Sequence, residues 1–353
     1  MESPVYINHT AMTQTTDLLL YLLRCSLNGS RPHIAPLPAD GWKQLFDLAH
    51  AHGVVALTND AIERLPEEQR PQGNIAFSWA LSAERTRHHF ARQQRLLESL
   101  RRRAEESGIT MVVIKGMSLA RLYPRPDSRA CGDIDIYFPR NYRQGNALLG
   151  CPQAEIDGKH AHAEIDGIPI ENHLHFLDLH YTSQRRAERY IVRSLRKPFA
   201  ANELPTMANM VYLLMHTVCH LTAKDKVTLR NVLDWGLFLR EHQKELSPAE
   251  CRRVMRHIHM EPAFNILTTL AADFVGADLS AFVDRDNLRP DDVERMRHLL
   301  LQRQYLPPVP PELRHFKRLL ARYRRNRQRR WLYRYLPSNA LERTFNNIIN
   351  LFR

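Results

Sequence analysis

Two aspartates one residue apart, in Gly132-Asp133-Ile134-Asp135-Ile136, form the spacing in this chain with most chemical potential. On a β-strand alternate residues share a side, so Asp133 and Asp135 would present their carboxylates together while Ile134 and Ile136 face a core. Carboxylates that close repel unless cations sit between them, which favours divalent metal. A lone D-x-D is equally a solvated pair or a turn, so its neighbours decide. Upstream lies Lys115-Gly116-Met117-Ser118, where an apolar run gives way to a helix-forming one. Glycine there lets backbone N–H groups and a helix N-terminus approach phosphates, and Lys115 adds a cation. Lys115 is read as a phosphate contact, against a salt bridge that only steadies a strand end. Arg129 either grips a phosphate or pairs with Asp133.

A third acidic group comes from HAHAEIDGIPIENHLH. Asp166-Gly167 signals a two-residue hairpin turn. That turn pairs Ile165 with Ile168, His162 with Glu171 and His160 with His173. His160, His162, Glu164, Glu171, His173 and His175 then project from one side. Glu171 is the expected third carboxylate, with Glu164 and Asp178 as substitutes. Three carboxylates make a two-metal cage, able to activate an attacking oxygen and neutralise a leaving pyrophosphate. Pro169 removes a ladder bond, so this strand is expected to be bulged or paired only partly on one side. The same histidine face offers a zinc set as an alternative to magnesium. His173, beside Glu171, is a candidate base or acceptor-orienting group. His216 and His220, at i and i+4 in an apolar helix, are either a metal pair or buried histidines bonded to Asp234 or backbone. Cys131, beside the aspartates, is read as incidental.

The elements that must position these groups follow from periodicity. Residues 15–107 read as helical: Thr16-Asp17 precede an apolar run, 42–52 continue its spacing, and 74–106 form a long helix. Gly108 ends it, and the β-branched run 109–114 reads as a central strand. A short helix at 117–123 is stopped by Pro124 and Pro126, a second strand spans 134–138, and the hairpin follows. Helices return at 207–221, 230–242, 248–257, 262–275 and 291–304. The expected fold is α+β and mostly helical, a small mixed sheet flanked by helical regions. Its organisation is an N-terminal helical region (1–107), an α/β core (108–200), a C-terminal helical domain (201–306), and a Pro hinge with an Arg-rich tail (307–353).

Composition narrows the class. The 353 residues are 44% hydrophobic, enough for a packed core, so wholesale disorder is excluded. The uncharged, apolar stretch 207–223 contains two histidines and falls short of a membrane span. The N-terminus lacks a basic segment followed by an apolar one, and five scattered cysteines read as reduced thiols, so a cytoplasmic location is expected. The formal charge of +12 sits almost wholly in the tail: residues 314–334 hold ten Lys/Arg and no Asp/Glu. Aromatics are interleaved there (Phe316, Tyr323, Trp331, Tyr333), suited to nucleic acid or a membrane surface. The alternative is a helix of solvated arginines packed on the preceding domain.

These motifs resemble the uncharacterised nucleotidyltransferases of the DNA polymerase beta-like superfamily. That pattern is an apolar strand ending in Lys-Gly, a helix, an Arg, then Asp-hydrophobic-Asp-hydrophobic, and later an acidic residue two before a His. Here it is VVIKGMSLARLYP, Arg129, GDIDI and Glu171-Asn172-His173. HTVCH (His216, His220) and RNVLDW (Arg230, Asp234) resemble the family's later helices. Met117-Ser118 replaces the superfamily's immediate Gly-Ser, and Asn172 stands at a usually apolar position. The resemblance implies a polymerase beta-like core and transfer of a nucleotidyl group from an NTP to an acceptor hydroxyl or phosphate. It implies two Mg²⁺ ions, or Mn²⁺, on Asp133, Asp135 and Glu171, and triphosphate contacts from Lys115, Gly116, Met117, Ser118 and Arg129. The expected acceptor is anionic: an RNA end, a phosphorylated metabolite or peptide, or a polysaccharide precursor. The alternative function is a nucleic-acid-binding or nucleotide-sensing module that uses the Arg-rich tail without catalysis.

Overall fold

The computed structural model describes residues 9–151, 159–196, 203–223, 227–302 and 330–337. The expected Pro hinge and the tail up to residue 329 lie outside them. Four strands form one mixed sheet: β1 (Val112–Ile114), β2 (Ile134–Tyr137), β3 (His160–Ile165) and β4 (Ile168–His173), in the order β1-β2-β4-β3. β1 is antiparallel to β2, β2 is parallel to β4, and the β3–β4 hairpin has the expected register, Ile165 opposite Ile168 and His160 opposite His173. Pro169 lies within β4 but beyond the reach of β2, whose pairing begins at Ile134 opposite Ile170. The strand is thus paired only partly on one side, and the missing N–H removes no bond to β2.

Helices flank the sheet on both sides. Before it come α1 (His9–Asn28), α2 (Ala39–His52), α3 (Val55–Ile62) and α4 (Gly73–Glu106). α1 starts earlier than the sequence suggests, because no Gly or Pro interrupts 9–28. Between the strands lie α5 (Gly116–Ala120) and α6 (Tyr142–Leu149), and α7 (Thr182–Ser194) follows the hairpin. The C-terminal helices are α8 (Thr206–Ala223), α9 (Leu229–His242), α10 (Pro248–His257), α11 (Glu261–Val275) and α12 (Pro290–Gln302). The mostly helical α+β class holds. The predicted helix at 117–123 shortens to α5, since turns at Leu122 and Tyr123 replace its last residues. α6 and α7 had no counterpart in the sequence reading.

The two faces of the sheet differ in kind. Val113, Ile134, Ile136 and Ile170 pack against Leu97, Leu100 and Ala104 of α4 and Leu148 and Leu149 of α6. α6 approaches so closely that a Cβ on Gly145 would lie 2.2 Å from the Phe138 ring, so only glycine fits there. Asn172 also points to this side, donating to the Tyr142 carbonyl (3.1 Å) and to Asn146 Oδ1 (2.6 Å). A polar residue suits this usually apolar position because it ties β4 to α6. On the opposite face, Val112 and Ile114 join a continuous core that reaches α1–α3 and α8–α12. Asp135, Glu171 and the hairpin histidines occupy the rest of that face.

Candidate active site

Because β2 and β4 run parallel, Asp135 lies directly opposite Glu171. One oxygen from each of Asp133, Asp135 and Glu171 comes within 4.8 Å of the others. Asp135 is buried and doubly bound: its Oδ1 lies 2.6 Å from Lys115 Nζ and 2.8 Å from His173 Nε2. Glu171 faces His173 at 3.4 Å, His160 at 3.5 Å and His162 at 3.8 Å. Asp133 pairs with no cation among the described residues. The three carboxylates and Lys115 line a cleft of about 410 Å³ bounded by α8 and α9.

The electrostatics follow from that geometry. Burial works against ionisation of Asp135, but Lys115 and His173 outweigh it and hold the carboxyl well below its usual range. Burial also opposes charge on Lys115, yet the neighbouring Tyr212 phenol and Asp135 raise its ammonium well above the ordinary value. His173 is raised in the same way, its burial overcome by bonds to Asp135 and Glu171. Glu171 is lowered despite burial, chiefly by His173. Asp133 goes the other way: burial and the Asp135 charge push its carboxyl up. Two cations thus serve three carboxylates, and the deficit falls on Asp133. Hard oxygen donors, converging with charge left uncompensated, fit a divalent cation such as Mg²⁺ or Mn²⁺. The nitrogen-richer set His160–Glu171–His173 also converges within 4.8 Å, sharing Glu171 with the first.

Lys115 reaches Asp135 at a backbone cost. Its φ of 54° and ψ of −140° are uncommon for a residue with a side chain. The turn is closed by Ser118 and Leu119 N–H groups on the Lys115 carbonyl, and by the Ser118 hydroxyl, which donates to the same oxygen at 2.7 Å. Gly116 lines the cleft beside Lys115, whereas Met117 packs into the core and Ser118 is turned to its own backbone. The structure therefore brings Lys115 and Gly116 to the carboxylates, but not the side chains of Met117 and Ser118.

Other expectations are corrected. Arg129 does not pair with Asp133. It makes a two-pronged buried pair with Asp234 on α9, Nε to Oδ1 at 2.8 Å and a terminal nitrogen to Oδ2 at 2.6 Å. The Tyr123 hydroxyl donates to the same carboxylate at 2.7 Å. His216 is not bonded to Asp234 either: its Nε2 faces His220 Nε2 at 3.0 Å, because Arg129 and Tyr123 already occupy that aspartate. His173 is fully buried against Asp135, with Nδ1 toward the His175 carbonyl at 3.3 Å, and does not line the cleft. Arg230 was underrated by the sequence reading. It lines the cleft, donates to the Ala130 carbonyl at 2.7 Å, and has no carboxylate within ion-pair distance among the described residues. Only its place in RNVLDW could have signalled it.

A family model described as an uncharacterised nucleotidyltransferase matches residues 38–276, from the start of α2 through α11. No curated protein and no solved structure matches the chain. No helix of the described residues is long and apolar enough to cross a membrane. The family match covers most of the chain, including the whole sheet, both helices bounding the cleft and all three converging carboxylates, so the chain belongs to the uncharacterised nucleotidyltransferase family.

Proposed function

We propose that the protein transfers a nucleotidyl group from an NTP to a hydroxyl or phosphate of an anionic acceptor, releasing pyrophosphate. The observation that carries this reading is the convergence of Asp133, Asp135 and Glu171 at the cleft beside Lys115 and Gly116. The three carboxylates are the residues that would hold two Mg²⁺ ions, or Mn²⁺. When bound, such ions neutralise the triphosphate and favour ionisation of the attacking oxygen. Lys115 and Arg230 bring positive charge to the cleft for the phosphates, and the small Gly116 lets them approach the backbone. Arg129 acts at one remove, fixing the 129–133 segment to α9 through Asp234. His173 and Lys115 keep Asp135 ionised and fixed in orientation. In the reaction the acceptor oxygen forms a bond to the α-phosphorus, the bond to the bridging oxygen breaks, and pyrophosphate carries away the charge.

The test is incubation of the protein with each α-³²P-labelled NTP, Mg²⁺ or Mn²⁺, and a nucleotide-depleted cell extract, beside an Asp133→Ala/Asp135→Ala protein. Label on one fraction that needs both aspartates supports transfer and points to the acceptor. Metal and nucleotide binding without transfer from any NTP would refute it in favour of a sensing module.

A further inference from the structure

The outer face of α7 is a second polar surface that the cleft chemistry does not use. Arg186, Arg189 and Arg193 recur at i, i+3 and i+7, opposite the buried stripe of Ser183, Gln184, Ala187, Glu188 and Ile191. Together with Tyr190 and His257 these arginines line a cavity of about 350 Å³. None of the three has a carboxylate within ion-pair distance among the described residues. The only acidic residue of α7, Glu188, is turned inward, where it accepts from the Phe176 and Leu177 N–H groups at 3.2 and 3.1 Å. By contrast the arginines of α10 that have acidic partners are neutralised, Arg253 by Glu250 and Arg256 by Glu261. The α7 face therefore carries uncompensated charge by arrangement and not merely by composition.

Further observations set the class of partner. At the first turn of α7, the Ser183 hydroxyl donates to the Pro337 carbonyl, so the segment 330–337, which carries Arg330 and Arg334, ends beside this helix. The same turn adjoins the cleft wall, since Gln184 donates to Cys219 Sγ at 3.3 Å and Cys219 lines the cleft. Steps of three and four residues on a helix advance about 4.5 and 6 Å, so the three guanidiniums form a row of cations along one face, as tracking a single-strand backbone requires. A membrane surface would require apolar side chains beside the cations, but the one large exposed hydrophobic residue among those described is Phe77, on α4.

We infer that Arg186, Arg189 and Arg193, with Tyr190 as a stacking ring, form a docking track for single-stranded RNA that leads its end toward the carboxylate cleft. This rests on the nucleotidyltransferase reading for its purpose, and it makes RNA the acceptor class. Binding itself needs no catalysis, so the two can fail separately.

The experiment is fluorescence anisotropy with an end-labelled, unstructured RNA of about 20 nucleotides, titrated with full-length protein over a range of salt. Wild type is expected to bind in EDTA, without metal or NTP. An Arg186→Gln/Arg189→Gln/Arg193→Gln protein should lose about ten-fold or more in affinity, and its log–log salt slope should fall by about 2, the value for three phosphate contacts to a single strand. Arg193→Glu alone, at an exposed site, gives a variant whose folding is not in question and should weaken binding several-fold. No RNA binding by the wild type, or binding unchanged in both arginine variants, would overturn the inference. So would binding to anionic phosphatidylserine vesicles, but not to RNA, that the same substitutions abolish. RNA binding without nucleotidyl transfer would leave the track standing and sink the catalytic reading; transfer to a small molecule without RNA binding would do the reverse.

Discussion

Asp133 and Asp135 share a motif but not an environment, and the two asparagine substitutions should move stability in opposite directions. Asp135 is buried between Lys115 and His173, so Asp135→Asn leaves an ammonium and an imidazolium without their closest anion. Removing one partner of a buried pair costs about 3–5 kcal/mol. Asp133 has no cation partner and faces two carboxylates within 4.8 Å. One such contact is repulsive by about 3 kcal/mol at an effective dielectric near 20, and attraction to Lys115 plus solvent screening reduce the net to about 1 kcal/mol. Asp133→Asn should therefore stabilise the metal-free protein by about 1 kcal/mol while abolishing transfer. The pH dependence follows from the signs. Asp133 is raised in the fold, so the penalty of its charge appears as pH rises through the folded value, and the gain from Asp133→Asn should shrink in acid. Asp135 is lowered, so its contribution is present above its ordinary value of 3.8 and lost as pH falls through the folded one. Urea unfolding in EDTA at neutral pH measures both. If the two variants destabilise equally, or Asp133→Asn costs stability, the assignment of the charge deficit to Asp133 is wrong.

Metal should reverse that ranking: millimolar Mg²⁺ should stabilise the wild type by about 1–2 kcal/mol through mass action and leave Asp133→Asn unmoved, as read by thermal unfolding with and without EDTA. Asp234→Asn should cost about 3–5 kcal/mol in urea unfolding, because it strands the buried Arg129 guanidinium, whereas Tyr123→Phe, which removes one neutral donor, should cost only about 1 kcal/mol. Burial, with the nearby Lys115 and His220 charges, holds His216 well below its ordinary value of 6.5. Its contribution is therefore full above that value and lost as pH falls, so the wild type should weaken between neutral and mildly acid pH relative to His216→Gln. The difference should grow by at most about 1.4 kcal/mol per pH unit, measured by unfolding at a series of pH values.

How much of this was legible in the sequence depended on whether the signal was local. The hairpin register followed from one dipeptide, Asp166-Gly167, and with it the common face of Glu171, His160 and His173. The alternation of GDIDI fixed which residues meet α4 and which meet the cleft, because a strand has only two sides. The parallel pairing that sets Asp135 opposite Glu171 was not legible, since it depends on a connection through α6 and the hairpin. Nor was α7: its buried stripe is made of Ser183, Gln184, Ala187, Glu188 and Ile191, polar enough to hide the helical period. The partner of Arg129 lay 105 positions away on α9, a choice made by tertiary packing and invisible to any local pattern. Local hydrophobic patterning located the carboxylates; long-range packing decided which charges they met.

Lys115 shows where those two levels conflict. Its backbone, at φ 54° and ψ −140°, is a conformation that glycine adopts without strain, and a residue with a side chain held there costs about 1–3 kcal/mol. Glycine is in fact the next residue, so the turn could have relaxed by a single exchange of positions. It has not, because the position after β1 is the one from which a long side chain reaches Asp135, 2.6 Å away on the adjacent strand. Moving the lysine one residue along would start its side chain from α5 instead, and Asp135 would be left with His173 alone. The backbone strain is thus offset by an ion pair inside the same cleft, and neither makes sense as a contribution to the core. On the proposed function, a residue that breaks its local rule while holding a buried carboxylate ionised serves the chemistry of the site, and Lys115→Gly should relax the turn and abolish transfer in one substitution.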